Sequence, residues 1–144
     1  MTIGERVKKI RLFQGMTQKQ LGMAVGLGEK GGKRIAQYEI DYRIPKAALL
    51  SQIAGALGVS PDALSAPNWK TPAELMYTLF AMEDQFEFHI DILDGELCLV
   101  LPITPEDDMQ LREALKRWYR MWVAYRQGEI SKIHYDQWRY TFQK

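Results

Sequence analysis

Two short helices joined by a run rich in glycine limit the fold of this chain more than any other feature. Thr17 begins Thr-x-x-Gln, a capping box in which the hydroxyl and the Gln20 side chain satisfy free amides of the helix that follows. Leu21, Ala24 and Val25 give that helix its apolar side. Gly26 closes it, and Gly28, Gly31 and Gly32 follow within six residues. Glycine inside a helix costs about 1 kcal/mol relative to alanine, so the run reads as a loop or a helix margin. The next helix is placed from about Gly32 to Asp41.

The flanks complete a helical unit. Ile3, Val7, Ile10 and Phe13 recur at helical spacing among Arg6, Lys8, Lys9 and Arg11, which predicts an amphipathic helix over 2–13 stopped by Gly15. Pro45 suits the first turn of a fourth helix, whose core stripe is Leu49, Leu50, Ile53, Ala54 and Leu57 and whose end is Gly58. Ser60-Pro61-Asp62 caps a short fifth helix through Leu64. Residues 66–71 read as a linker, which divides the chain into segments 1–65 and 72–144.

The second segment changes period. Pro72 opens a helix to about Met82, after which Phe86, Phe88, Ile90 and Ile92 alternate with polar residues as in a strand with one buried face. Asp94-Gly95 is a two-residue hairpin turn, and counting outward pairs Ile92 with Leu97, Ile90 with Leu99 and Phe88 with Leu101 on one face. A long helix from Pro105 to about Gln127 carries Leu111, Leu115, Trp118, Trp122 and Tyr125. Ser131 caps a last helix, with Ile130 and Tyr135 as its staple and Trp138, Tyr140 and Phe142 in or beyond it.

Charge separates the two segments. Residues 1–65 hold ten Lys or Arg against five Asp or Glu, a balance of +5, while residues 66–144 hold nine against thirteen, a balance of −4. The basic segment attracts a polyanion and the acidic one is repelled by it. The lone Cys98 has no disulfide or metal-ligand partner, and a cytoplasmic protein without metal or cofactor is expected. No apolar run reaches the roughly 18 residues of a membrane span. No catalytic constellation is present in the sequence, so a non-enzyme is expected, and His89 and Cys98 are read as structural.

Several pieces together resemble the lambda-repressor-like DNA-binding domain of the Cro/CI (XRE) family. They are Arg6-(x4)-Arg11, Thr17-Gln18-(x2)-Leu21, Gly26-Leu27, Ile35-(x2)-Tyr38-Glu39, Arg43-(x)-Pro45 and Ile53-Ala54-(x2)-Leu57-(x)-Val59-Ser60. The resemblance implies a mainly α fold: a five-helix helix-turn-helix DNA-binding domain over 1–65. To it is joined a small C-terminal α+β part of a helix, a β-hairpin and two helices, expected to dimerise or to sense a signal.

Carried over by position, the resemblance makes Gln18 and Arg43 backbone contacts. It makes Arg11 and Glu39 a structural ion pair that orients the reading helix. Seven residues separate Gly28 from Ile35 where the family pattern has about four. With Ile35 as anchor, Gly32, Lys33 and Arg34 fall where base-reading side chains usually sit, and Gln37 one turn later. The expected base contacts are therefore Lys33, Arg34 and Gln37, and Lys30 joins the backbone contacts.

The function so implied is a transcriptional regulator, in the first place a repressor, that binds double-stranded DNA with a palindromic operator as a homodimer. An unknown small molecule or protein is its effector. Two alternatives stand beside it: an antitoxin or protein-docking module, and a ligand-sensing regulator in which Trp118, Trp122, Tyr125, Trp138 and Tyr140 line a pocket.

Overall fold

The computed structural model describes residues 1–101 and 109–142. In chain order the elements are α1 (Ile3–Phe13), α2 (Gln18–Ala24), α3 (Gly31–Glu39), α4 (Ala47–Leu57), α5 (Pro61–Ser65), α6 (Pro72–Phe86), β1 (His89–Leu93), β2 (Glu96–Val100), α7 (Met109–Arg126) and α8 (Lys132–Tyr140). The protein is mainly helical with one small antiparallel sheet.

Two compact units divide the chain, one of Met1–Asn68 with Lys132–Lys144 and one of Trp69–Ser131. These bounds differ from the segments drawn from the sequence, because α8 belongs with the first five helices. The physical reason lies at its end. Tyr140 meets Phe13 edge to face with ring centroids 5.4 Å apart, and its carbonyl accepts a hydrogen bond from Ser60 N at 2.9 Å. Residues 66–68 are likewise tied down: Arg6 donates to the Pro67 carbonyl at 2.9 Å, and the terminal ammonium of Met1 to Asn68.

In the first unit, α1 and α2 each begin with a capping box. Thr2 accepts from Glu5 N and Thr17 from Gln20 N, each with the reciprocal side-chain bond, so orphan donors at the starts of α1 and α2 are satisfied. Gly58 closes α4 in the left-handed region at φ +71°. The core gathers Val7 and Ile10 of α1, Leu21 of α2, Ile35 and Tyr38 of α3, and Leu50, Ile53 and Leu57 of α4, with Val59 and Leu64 beneath. α1, α3 and α4 each contribute residues three or four apart, the stripe that a 3.6-residue period turns inward.

The second unit has a different character. The hairpin has the register counted from Asp94-Gly95, with Ile92 opposite Leu97 and Ile90 opposite Leu99. Both turn residues have positive φ, as a two-residue type I′ turn requires. Two expectations are corrected. α6 runs to Phe86, because nothing in Glu83-Asp84-Gln85 breaks a helix, and Glu87 in the left-handed region ends it. The paired strands therefore begin at His89, and Phe88–Leu101 is not one of the paired positions.

The face bearing Ile90, Ile92, Leu97 and Leu99 is also exposed, at 59%, 66%, 76% and 45%, where the alternation predicted burial. Phe88 is the buried hydrophobic of this unit among the described residues. The start of the long helix placed at Pro105 lies outside the described residues.

Candidate nucleic-acid interface

α3 is held in place by contacts that only small residues allow. A Cβ on Gly22 would lie 2.5 Å from the Gly31 carbonyl carbon, and one on Gly31 would lie 2.9 Å from Gly22. The two helices therefore touch backbone to backbone at the start of α3. A Cβ on Gly4 would fall 2.0 Å from the Tyr38 carbonyl oxygen, so α1 abuts the other end of the same helix.

Val25 to Lys30 lie between α2 and α3, with Gly26 at φ +72° and Gly28 at φ +65°, backbone angles that glycine adopts without steric cost. Leu27 N returns to the Gly22 carbonyl at 2.9 Å, and Gly31 N to that of Gly28 at 2.9 Å. α3 then starts at Gly31 with Lys30 as its cap residue.

The far end of α3 is fixed by a buried ion pair. Arg11 Nε donates to Glu39 Oε1 at 2.5 Å and its second terminal nitrogen to Oε2 at 3.0 Å, a bidentate fork. The remaining Arg11 nitrogen donates to the Met16 carbonyl at 2.6 Å. Gln18 completes the set, its Nε2 donating to Glu39 Oε2 at 2.8 Å. One carboxylate thus joins α1, the first residue of α2 and the last of α3. One of the two hydrogens on the Gln18 amide nitrogen is used in this bond.

With Ile35 and Tyr38 turned into the core, the outward side of α3 is set by helical spacing. Lys30, Lys33 and Arg34 are exposed and Gln37 is half-buried. Gly32 does not belong with them. A Cβ there would sit 3.3 Å from Lys19 of α2, so that position packs against the preceding helix, whereas the anchored register had put it among the readers.

Beside this stripe runs a groove of about 460 Å³ lined by Arg34, Tyr38, Arg43, Ile44, Lys46 and Leu49. Three of the six are cations, from α3, from the loop after it and from the cap of α4. No sequence signal singled out Lys46. It is the N-cap residue of α4, where an ammonium, having no acceptor, makes no cap bond. The same loop exposes Ile40, Tyr42 and Ile44.

A helix held at both ends, with a cationic outer stripe and a cationic groove alongside, matches what major-groove readers present to DNA. Comparison with known families decides it: residues 7–64 match the family described as helix-turn-helix. The first unit carries a helix-turn-helix domain of the lambda-repressor-like (XRE) family. The protein is thereby a DNA-binding transcription regulator. No curated protein and no solved structure matched the chain.

The remaining candidate features lie apart from this surface in the chain. The aromatic stripe is divided, with Trp118, Trp122 and Tyr125 on α7 of the second unit and Trp138 and Tyr140 on α8 of the first. Among the described residues no three His, Cys, Asp or Glu side chains converge as metal ligands, and no helix is long and apolar enough to cross a membrane. Cys98 lies opposite Asp91 on the hairpin face away from the aliphatic one.

Proposed function

We propose that this regulator is a cytoplasmic, non-enzymatic repressor that binds a palindromic double-stranded operator as a homodimer. α3 enters the major groove. Arg34 makes bidentate hydrogen bonds to guanine O6 and N7, Gln37 to adenine N6 and N7, and Lys33 reaches a neighbouring base edge. Lys30, Arg43, Lys46 and the Gln18 backbone amide hold phosphates and fix the register without reading sequence. The second unit pairs two copies, so that two α3 helices address half-sites one helical turn apart. The observation that carries this reading is the α3 stripe itself. Its exposed side chains Lys33 and Arg34 are basic, the half-buried Gln37 follows one turn later, and its two ends are locked by the glycine contact and the Glu39 cluster.

Selection of bound sequences from random duplex DNA tests it. A palindrome recovered by the wild type, degenerate at one position of each half-site for Arg34→Ala but unchanged for Arg43→Ala, is the expected result. Binding should weaken steeply with salt as counterions are released. Equal, sequence-independent losses for both variants would remove Arg34 from the base-reading set. Selection without any enriched sequence would refute the operator.

A further inference from the structure

The second unit holds apolar surface that its own fold leaves open. α6 has no buried residue and neither strand of the hairpin has one. Leu75, Met76 and Phe80 of α6 are exposed at 41%, 43% and 48%, and the four aliphatic residues of the hairpin face more so. Soluble chains rarely leave contiguous apolar surface of this kind without a partner. Charge says which partner. Residues 70–87, which hold α6, carry Lys70 against Glu74, Glu83, Asp84 and Glu87, while Asp91 and Glu96 of the hairpin lie on the face away from the aliphatic one. α7 carries Arg112, Lys116, Arg117, Arg120 and Arg126 against Glu113 alone, and exposes Trp118 and Tyr119. One unit therefore bears two helices of opposite charge, acidic α6 and basic α7, each with exposed apolar residues.

We infer that the occupant is a second copy of this chain, with α7 of each copy lying against the acidic α6 and the aliphatic hairpin face of the other. A twofold axis makes both contacts at once, since an isologous pair presents each surface to its complement. Size supports the use of all three elements. A stable interface takes about 800 Å² from each partner. The hairpin face is only about 17 Å by 10 Å, too little alone. α6 adds a strip about 22 Å long and α7 one of about 27 Å, which brings the footprint into the required range. The inference rests on the homodimer proposed above and names its surface.

Sedimentation of the full chain without DNA, from 1 to 100 µM, tests it on two sets of variants. Wild type should be dimeric. Ile92→Asp and Leu97→Asp, which place a carboxylate on the aliphatic face, should weaken the dimer by about 100-fold or more with unchanged far-ultraviolet dichroism. Lys116→Glu/Arg120→Glu and Glu83→Lys/Asp84→Lys should each be monomeric alone and pair with one another when mixed, because only the mixed pair restores opposite charge at both contacts.

A monomeric wild type would overturn the inference and leave the face to some other partner. So would dimeric Leu97→Asp, or failure of the mixed charge variants to pair. The DNA reading fails separately: a dimer that selects no sequence would sink the operator and leave this interface standing.

Discussion

Replacing Glu39 with Gln tests whether the reading helix is held in the way its contacts imply. The volume stays the same, so no cavity term enters. The carboxylate now accepts at one oxygen from Arg11 Nε and at the other from Arg11 and Gln18. An amide offers one oxygen, and its nitrogen would face donors. Arg11 stays charged, with a side chain only 7% exposed, and would keep the Met16 carbonyl and a single amide oxygen as partners.

Removing one member of a buried pair costs about 3–5 kcal/mol, and the conservative shape of Gln favours the lower figure. For a unit of roughly 80 residues, about 3 kcal/mol lowers Tm by roughly 12–24 °C. Calorimetry and urea unfolding followed by circular dichroism would read it. The double variant Arg11→Met/Glu39→Leu removes both charges and should lie within about 1 kcal/mol of wild type. A loss below about 1 kcal/mol for Glu39→Gln, the range of exposed ion pairs, would refute the reasoning. So would a double variant less stable than the single one.

Gly31→Ala and Gly22→Ala should each cost about 1–3 kcal/mol by overpacking the α2–α3 crossing, measured by thermal unfolding. Gly55→Ala, an exposed position inside α4 with open space around it, should instead stabilise by about 0.5–1 kcal/mol. Lys46→Ala should lower the slope of log affinity against log salt by about 0.9 while leaving the selected sequence unchanged, as fits a phosphate contact. Tyr140→Ala should destabilise the first unit by about 1.5 kcal/mol, roughly half the cost of a fully buried ring, since Tyr140 is half-buried against Phe13. An unchanged midpoint for that variant would detach α8 from the fold.

What was legible in the sequence was what repeats locally. Val7 and Ile10, Leu50, Ile53 and Leu57 announce their helices by spacing, and the same residues fill the core. Asp94-Gly95 with period-two alternation gives the hairpin register, because each side chain's face follows from the count. The position of Gly32 was not legible, since whether an added residue lengthens a turn or a helix depends on the φ angles of Gly26 and Gly28. Nor was Lys46, because a lysine at the start of a helix has the same sequence signature whether or not it borders a groove.

The destination of α8 and the exposure of the hairpin face share one cause. An amphipathic pattern states that a face is to be buried and says nothing of what buries it. For α8 the answer is Phe13 and Ser60, more than 70 residues away in the chain. The second unit is therefore an insertion between α5 and α8, joined to the reading unit at both of its ends rather than hung from one. That connectivity bears on the homodimer proposed above. A single flexible linker lets a reader sample a wide volume, and the effective concentration of the second half-site falls as that volume grows. Two attachments restrict the volume more strongly than one of the same length. Binding by such a dimer would then depend on how closely the half-site spacing of the operator matches the permitted one.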